Sequence, residues 1–343
     1  MTTNDERTTL ATIPSVAGVS VATVSKVVNG RPHVSPTTRA LIESLLHEHE
    51  YVARRPDTAR FPSVELVFHL PLTAYSLEIL HGVVMEGADR SVDIVVTLRL
   101  RGLRGPTANS SQWVRQLAAA GRQAVIAVVS ELSAADISAL ARVHLPIVVI
   151  DPINMPRSRV ISVGSTNFTG GFTATQHLLD LGHRRIAYIG GPATAACNQA
   201  RMHGYRGAME AAGAPITKGY VRNGRFSYAD GLTEGAALLA LGQPPTAIFA
   251  ANDETALGVL EAARTRGLRI PDDLSVVGFD DTEVARLASP PLTAVAQPLR
   301  KMGAVALRTA LRLAAGERVD SHHVELATEL VVRESTAPPP DPR

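Results

Sequence analysis

Cysteine is almost absent from this sequence, because Cys197 is the only one among 343 residues. An intramolecular disulfide is therefore impossible, and the single thiol fits a reducing compartment. Long apolar runs are also lacking, since stretches such as 123–130 are far shorter than the roughly 20 residues of a membrane span. The first 14 residues carry acids and no apolar core, so we expect no export signal and no membrane partner.

An excess of charge of one sign is lacking as well. The 34 Lys and Arg residues nearly balance the 32 Asp and Glu residues, which leaves a formal net charge of +2. Whole-chain charge therefore does not indicate nucleic-acid binding, and any such signal has to be local. Apolar residues make up 45% of the chain and charged residues 19%, which is typical of a globular protein.

The common catalytic signatures are missing from the sequence. It contains no G-x-S-x-G elbow, no P-loop, no H-E-x-x-H and no C-x-x-C. We therefore expect a protein that is not an enzyme and that carries no cofactor and no metal site.

The most specific segment present is AGVSVATVSKVVNG, residues 17–30. Gly18 supplies a turn, Ser20 is placed as an N-cap, and Thr23 falls at the N3 position. An apolar stripe at helical spacing follows, formed by Val24, Val27 and Val28. The exposed face of the same helix is predicted to carry four side chains: Val21, Ala22, Ser25 and Lys26.

Short helical stretches flank this helix. Residues 12–16 precede it, and Ser35 followed by Pro36 is a favoured start for a third helix. The predicted core face of the third helix consists of Leu41, Ile42, Leu45 and Leu46. A helix-turn-helix of this kind leaves its second helix free to enter a major groove, although a three-helix bundle with ordinary caps is the alternative.

This segment closely resembles the LacI/GalR family of transcriptional regulators. The match covers A-G-V-S-x-A-T-V-S-[RK]-V-x-N-G, then V-S-x-x-T-R at 34–39, then the tyrosine at 51. The resemblance implies that Val21, Ala22 and Lys26 face base edges, where lysine can donate to guanine and the others make apolar contacts. It also implies that a set of polar side chains contacts or orients phosphates, namely Ser20, Thr23, Asn29, Ser35, Thr38 and Arg39. Ser25, on the same exposed face, completes the predicted DNA-binding surface.

Two positions depart from the family pattern. Pro14 stands where the family usually has alanine, so the first helix is expected to be short with Pro14 in its first turn. In the linker, Arg60 occupies the position of the family's minor-groove leucine, and a leucine wedge is therefore not expected. Arg54, Arg55 and Arg60 are predicted to reach phosphates or a narrow minor groove, with a solvated linker as an equal alternative.

From residue 64 onward, short β-branched runs alternate with helical stretches. Seven runs are predicted as strands, at 64–70, 92–100, 124–130, 146–151, 185–190, 246–253 and 274–281. Apolar strands separated by helices indicate parallel sheets covered on both faces, and the number of strands indicates two sheets. The predicted fold class is a small all-α helix-turn-helix domain followed by a larger two-lobed α/β domain.

The larger region also resembles the same family, in LGHRRIAYIGGP (181–192), in the stretch 245–281 and in PPLTAV (290–295). The resemblance implies a periplasmic-binding-protein-like fold of two lobes around a cleft. Three chain crossings between the lobes are expected, near 162–165, 286–294 and 320–324.

The expected domain boundaries follow from these assignments. The DNA-binding domain takes 1–51, the linker 52–63 and the effector-binding domain 64–335. The first lobe is predicted at 64–163 and 292–322, and the second at 164–290 and 323–335. Residues 336–343, TAPPPDPR, are expected to form a disordered tail.

Polar side chains cluster at the predicted strand ends, where ligands bind in open α/β sheets. The resemblance maps effector contacts onto Asp151, Arg201, Phe226, Asn252, Asp280 and Gln297, and we add Tyr75 from the loop after the first strand. Carboxylates, amides and arginine suit hydroxyl groups, and a phenyl ring suits the apolar face of a sugar. Architectural roles are the alternatives: Asn252 or Asp253 as a helix cap, Arg201 and Asp280 as an ion pair, and Asp151 as a turn residue.

The sequence thus predicts a cytoplasmic, nucleoid-associated regulator that acts as a repressor on double-stranded operator DNA. A homodimer is expected to read a pseudo-palindrome, with a tetramer as the alternative assembly. The expected effector is a mono- or oligosaccharide, with a nucleobase second. The competing functions are a solute-binding protein without DNA binding and a sugar-processing enzyme.

Overall fold

The computed structural model of the chain describes residues 13–28, 34–48, 61–69, 71–99, 110–129, 133–153 and 160–340. Four residues of the predicted DNA-binding region lie outside these ranges: Asn29, Arg54, Arg55 and Arg60. The chain divides into two compact units, residues 1–60 and 61–343.

The smaller unit contains helices α1 (Ile13–Ala17), α2 (Val21–Val28) and α3 (Pro36–Glu48). Pro14 is the second residue of α1, as predicted, because a proline in the first turn breaks no helical hydrogen bond. The short helix α1 therefore precedes α2, the helix predicted to contact DNA, as the sequence indicates.

The core of this unit is small. Val24, Val27 and Ile42 are buried, and Leu45 and Leu46 pack against them. The prediction that Leu41 belongs to this core is wrong, because its side chain is 48% exposed. Adjacent residues on a helix point in directions about 100° apart, and Ile42 takes the inward direction.

The larger unit is built on two sheets. Within the described residues, the first sheet has the spatial order β11 (His323–Leu326), β5 (Ile161–Ser165), β4 (Ile147–Ile150), β3 (Arg122–Val128), β1 (Ser63–Phe68), β2 (Asp93–Leu98). The second has the order β12 (Glu329–Val331), β10 (Thr293–Ala296), β9 (Ser275–Asp280), β8 (Ala247–Ala250), β6 (Ile186–Gly190), β7 (Val221–Asn223).

Helices cover both faces of each sheet. The first sheet packs against α4 (Ala74–Asp89) and α12 (Leu299–Ala314) on one face and against α5 (Ser110–Ala119) and α6 (Ala134–Arg142) on the other. The second packs against α7 (Asn167–Asp180) with α8 (Ala196–Ala211), and against α9 (Tyr228–Leu239) with α10 (Asp253–Arg264). The short α11 (Glu283–Leu287) follows β9. This double coverage explains why strands such as β6 and β9 are buried along their whole length.

The predicted fold class is confirmed. Each of the seven predicted strands is present, and all neighbouring strands in the described ranges are parallel except β12, which runs antiparallel to β10. No helix in that part of the chain has the length and apolarity needed to cross a membrane.

Two of the predicted lobe boundaries need correction. Strand β10, assigned to the first lobe, belongs to the second sheet, and β11, assigned to the second lobe, belongs to the first sheet. The chain therefore crosses between the lobes at 297–298, before α12, and at 327–328, between β11 and β12. Both crossings lie a few residues later than predicted, because the stretches 286–294 and 320–324 lead into β10 and β11, and the chain leaves each sheet only after the strand ends.

The predicted disordered tail is also incorrect for residues 336–340. Ser335 is fully buried, and its hydroxyl donates to the carbonyl oxygen of Val276 at 2.6 Å. The backbone N–H of Ala337 donates to the hydroxyl of Ser275 at 3.0 Å, and its carbonyl lies 2.8 Å from Nε2 of His183. A buried histidine needs hydrogen-bond partners, and here the chain end supplies one of them.

Three pairs of helices that cover the sheets pack with their backbones very close together. A side-chain carbon at any of six glycines would overlap the backbone of the facing helix: Gly82 and Gly303 between α4 and α12, Gly171 and Gly204 between α7 and α8, Gly231 and Gly258 between α9 and α10. These pairs therefore pack backbone against backbone, with glycine required at each contact.

Candidate functional site

The first candidate site is the exposed face of α2. Val21, Ala22, Ser25 and Lys26 are all exposed on it, as predicted. Val21 is 59% exposed, although it is apolar and stands one helical turn from buried Val24. An apolar side chain held out between polar ones is suited to contact with a thymine methyl group in a major groove.

The hydroxyl residues beside this face form the helix starts. The hydroxyl of Ser20 accepts from the N–H of Thr23 at 3.2 Å at the start of α2. The hydroxyl of Ser35 accepts from the N–H of Thr38 at 3.1 Å at the start of α3. Both are N-caps of the predicted kind, and both leave exposed hydroxyls at positive helix ends, where a phosphate group is stabilised.

The second candidate site is a cavity, open to solvent, between the carboxyl ends of the two sheets, and its empty space together with the adjoining solvent is about 690 Å³. It is lined by Phe68, Pro71, Thr73, Tyr75, Ser76, Val128, Val129, Asp151, Cys197, Arg201, Arg225, Phe226, Asn252 and Asp280. Six of the seven predicted effector residues are among them. The structure thus brings together Tyr75, Asp151, Arg201, Phe226, Asn252 and Asp280.

On the side of the first lobe, Tyr75 and Asp151 form a pair. The hydroxyl of Tyr75, in the first turn of α4, donates to Oδ2 of Asp151 at 2.6 Å. Burial, and next the charge of Asp151, raise the pKa of Tyr75 well above its ordinary value, so its hydroxyl stays protonated. Asp151 follows β4 in a left-handed conformation with φ of 44°, so it both marks the turn and lines the cavity.

On the side of the second lobe, Arg201 contacts four groups. Its Nε donates to Oδ1 of Asn167 at 2.7 Å, and its Nη1 donates to the carbonyl oxygen of Ala251 at 2.6 Å. The guanidinium lies 3.8 Å from the ring centre of Phe279, and Nη1 lies 3.8 Å from Oδ1 of Asp280. The contact between Arg201 and Asp280 that the sequence left as an alternative is thus present, and both residues also line the cavity.

Asn252 caps a helix and also lines the cavity. Its Oδ1 accepts from the N–H of Thr255 at 3.1 Å, which makes it the N-cap of α10. Its Nδ2 donates to the carbonyl oxygen of Phe226 at 3.1 Å and so holds the loop that carries the aromatic ring. Asp253 has an architectural role, because its Oδ2 accepts from the N–H and the hydroxyl of Thr282, each at 2.8 Å.

Gln297 is not brought to the cavity, contrary to the prediction. It is 7% exposed, its Nε2 donates to Oδ1 of Asp280 at 2.6 Å, and its Oε1 accepts from the hydroxyl of Ser165 at 2.5 Å. It follows β10 at a chain crossing, and Asp280, to which it is bonded, lines the cavity in its place. Its contact with an effector stays a prediction that needs the side chain to move.

The sequence reasoning missed an apolar wall of the cavity. Phe68, Val128 and Val129 stand at the ends of β1 and β3, and Pro71 follows in the next loop. In the sequence these apolar residues extend the runs that are predicted as buried strands. Only their position at the ends of those runs could have identified them as part of a site. Thr73, Ser76, Cys197 and Arg225 were also missed.

Backbone strain is concentrated around the cavity. Four of its lining residues that are not glycine have left-handed backbones, with φ of 45° at Val129, 44° at Asp151, 61° at Phe226 and 105° at Asp280. Such conformations are costly and persist where the surroundings impose them, which is typical of ligand-binding sites.

Burial also perturbs the acids of the second lobe. It raises the pKa of Asp280 to about 8, although Arg201 acts in the opposite direction. Burial and the neighbouring charge of Asp280 raise the pKa of Asp253 well above its ordinary value. A proton is therefore retained in this group of carboxyls near neutral pH, so the cavity can donate as well as accept a hydrogen bond there.

This raised pKa gives a prediction for the pH dependence of stability. The folded protein holds the proton of Asp280 up to about pH 8, whereas the unfolded chain releases it near the ordinary aspartate pKa of 3.8. Stability from this group is therefore present at low pH and is lost as the pH rises through that window, by at most about 1.4 kcal/mol per pH unit. Asp280→Asn is expected to flatten the fall in the free energy of unfolding between about pH 5 and pH 8, measured by urea denaturation. An equally steep fall in the variant would contradict the assignment.

Comparisons with known proteins find two family matches along the chain. Residues 9–53 match the family described as bacterial regulatory proteins, lacI family. Residues 175–336 match the periplasmic binding protein-like domain. The chain is 34% identical to the HTH-type transcriptional regulator DegA of Bacillus subtilis (strain 168), over 97% of this chain and 99% of DegA.

Solved structures agree with the sequence relatives. The complex of the transcriptional regulator CelR with cellobiose has a TM-score of 0.72 and 32% identity, covering 96% of this chain and 99% of CelR. The lac repressor dimer bound to operator and the anti-inducer ONPF has a TM-score of 0.75 and 27% identity, with 96% of this chain and 99% of that chain covered.

Proposed function

This chain belongs to the LacI family of bacterial regulatory proteins, and from that membership we propose that it represses transcription under the control of a small effector. In this proposal α2 enters the major groove of an operator, and the effector occupies the cavity between the two lobes. One observation carries the proposal. The same chain contains α2, whose exposed face is apolar and basic, and a cavity formed by two lobes. A solute-binding protein needs the cavity but does not need the exposed face of α2.

An exposed apolar surface supports action as a homodimer. Leu77, Val84 and Met85 of α4 are 53%, 42% and 53% exposed, and Val96 and Leu98 of the neighbouring edge strand β2 are 42% and 49% exposed. Several exposed apolar side chains on neighbouring elements are typical of a subunit interface. Two copies joined by a twofold axis would present two recognition helices to an inverted repeat.

The effector is proposed to be a sugar. Arg201, Asn252 and Asp280 offer donors and acceptors on one wall, and the ring of Phe226 offers a flat apolar surface for the carbon–hydrogen face of a pyranose. The related structure of CelR holds cellobiose. Binding of the effector would change the angle between the lobes and thereby the fraction of molecules that can bind DNA. The protein would act in the cytoplasm, at the nucleoid.

The test of this function requires neither a known operator nor a known effector. Purified protein is mixed with a genomic fragment library at low salt, and bound fragments are sequenced. We expect enrichment of an inverted repeat, followed by a change in its affinity when the matching sugar from a calorimetric panel of sugars and purines is added. A library with no enriched repeat would contradict DNA recognition, and a purine as the ligand that binds would contradict the sugar.

The exposed face of α2 gives a prediction about specificity. Lys26→Ala is expected to weaken binding to the selected operator by about 5- to 150-fold, which corresponds to roughly 1–3 kcal/mol for a base contact. Binding to random DNA should change much less. Titrations of a labelled operator and of a random duplex at fixed salt measure both affinities.

Arg39→Ala is the matched comparison for this prediction. If Arg39 contacts a phosphate, its removal weakens binding to both duplexes by a similar factor and reduces the salt dependence. Equal losses on both duplexes with Lys26→Ala would show that Lys26 contacts phosphate and not a base.

A further inference from the structure

Arg225 differs from the other charged residues that line the cavity. Within the described lining, three charged side chains are deeply buried, since Asp151, Arg201 and Asp280 are 6%, 3% and 4% exposed. The side chain of Arg225 is 82% exposed. Arg225 precedes Phe226, whose ring also lines the cavity. The cavity therefore has a positive charge at its opening to solvent, apart from the three charged groups of its interior.

The buried charged groups have contacts within the cavity wall. Oδ1 of Asp280 lies 3.8 Å from Nη1 of Arg201, and Oδ2 of Asp151 accepts from the hydroxyl of Tyr75 at 2.6 Å. Asp280 also retains its proton near neutral pH, because burial raises its pKa to about 8. The two arginines of the lining are then opposed by Asp151 alone, which leaves an excess of positive charge for an anionic group on a ligand.

The loop that carries Arg225 is fixed by two sets of hydrogen bonds. The N–H of Arg225 and the hydroxyl of Ser227 both donate to Oδ2 of Asp230, at 2.8 and 2.7 Å. The carbonyl oxygen of Phe226, between them, accepts from Nδ2 of Asn252 at 3.1 Å. The backbone that carries the phenyl ring and the arginine is therefore held in place before a ligand arrives, which lowers the entropy cost of binding there.

The guanidinium of Arg225, in contrast, is weakly paired. Its Nη2 lies 3.5 Å from Oδ1 of Asp230, which is longer than the roughly 2.7–2.9 Å of a strong charge-assisted hydrogen bond. The other oxygen of Asp230 already accepts the two hydrogen bonds from the loop. An exposed pair of this length contributes little, so an anionic group of a ligand can take the place of Asp230 with little loss.

We propose that Arg225 is a specificity-determining residue and that the effector is an acidic sugar, with a carboxylate or phosphate group on a ring that packs against Phe226. Because Arg225 and Phe226 are adjacent, a group that projects from such a ring toward the opening comes within reach of the guanidinium. The planar fork of arginine pairs with either anion through two parallel hydrogen bonds, whereas a neutral sugar leaves this charge unused. The inference rests on the proposed function, in which a sugar occupies the cavity.

The test compares sugars that differ in one group. Full-length protein is titrated calorimetrically with D-glucose, D-glucuronate and the phosphate monoester of glucose, and with the corresponding galactose series. We expect an acidic member of a series to bind at least about tenfold more tightly than its neutral parent, as one hydrogen bond to a charged group allows. The two acidic arms distinguish a carboxylate from a phosphate. Arg225→Met should abolish the difference by weakening the acidic sugar alone, and Arg225→Lys, which keeps the charge, should restore part of it.

Arg264→Met is the matched control. Arg264 belongs to the same lobe, is 73% exposed, pairs with Glu261 at 2.7 Å and is not among the residues that line the cavity. Its removal should leave the preference unchanged. Equal binding of neutral and acidic sugars by the wild type, or a preference that survives Arg225→Met, would overturn the inference and leave the sugar proposal intact. If none of these sugars binds, the inference is wrong as well, and a purine that binds instead would contradict the sugar itself.

Discussion

Arg201→Met is expected to lower the free energy of unfolding by about 3–5 kcal/mol, because it leaves buried polar groups without a partner. Arg201 is 3% exposed and supplies the hydrogen bonds to Asn167 and to the carbonyl of Ala251 described above. Methionine fills a similar volume but cannot donate to either acceptor. The same change removes the buried cation that faces Asp151 and Asp280, so effector binding is expected to be lost as well.

Arg225→Met is the matched control for this prediction. Arg225 lines the same cavity, but its side chain is 82% exposed and its ion pair with Asp230 is 3.5 Å long. Exposed pairs contribute about 0–1 kcal/mol, so this variant should remain close to wild type. Urea denaturation of both full-length variants measures the difference.

A double variant separates loss of charge from loss of packing. Arg201→Met combined with Asp280→Asn removes the buried carboxyl that lost its cation, so part of the stability should return. Equal stability of Arg201→Met and Arg225→Met would show that the hydrogen bonds of Arg201 contribute little. A double variant that is the sum of the single ones would show that Arg201 and Asp280 do not interact.

Two glycines on α8 are expected to respond with opposite signs to the same substitution. At Gly204 a methyl group would overlap the backbone of Phe168 on α7, so Gly204→Ala must push the helices apart. Overpacking of this kind costs about 1–3 kcal/mol, more than the gain of about 1 kcal/mol from the better helix propensity of alanine. At Gly207 the methyl group would meet the ring of Phe168 at 3.7 Å, an ordinary contact, so Gly207→Ala should stabilise by up to about 1 kcal/mol.

Thermal and urea unfolding of the two full-length variants test this pair directly. The helix, the substitution and the facing residue are the same, so differences in the unfolded state largely cancel. If Gly204→Ala were as stable as Gly207→Ala, α7 and α8 would have to be less closely packed than the structure shows.

The sequence was most informative where local chemistry decides the structure. Ser20 and Ser35 are helix caps, as the sequence predicts. In each case the hydroxyl accepts from the backbone N–H three residues later, so the interaction depends only on neighbouring residues in the sequence. Six of the seven β-branched runs are strands buried over most of their length, and the seventh, β2, is a partly exposed edge strand. By contrast, β7 and β12 have three residues each, and β10 is TAVA, so none gives a periodic signal.

The cavity could be predicted only in part. Polar residues at strand ends, such as Asp151 and Asp280, stand out in a sequence because little else accounts for a carboxylate there. The opposite wall could not be found in this way, because Phe68 and Val128 continue the pattern of the strand core. Gln297 was misplaced because its sheet depends on where the chain crosses between lobes, which is a property of the tertiary fold.

The position of the last two strands has a consequence for synthesis on the ribosome. Strands β11 and β12 form one edge of the first and second sheet respectively, yet both lie between residues 323 and 331, after the other strands and helices of the described residues. Until that part has been made, β5 and β10 each present an open row of backbone hydrogen-bonding groups, which are sites for wrong pairing between nascent chains. Neither lobe can be completed by itself during translation, so the two must finish folding together.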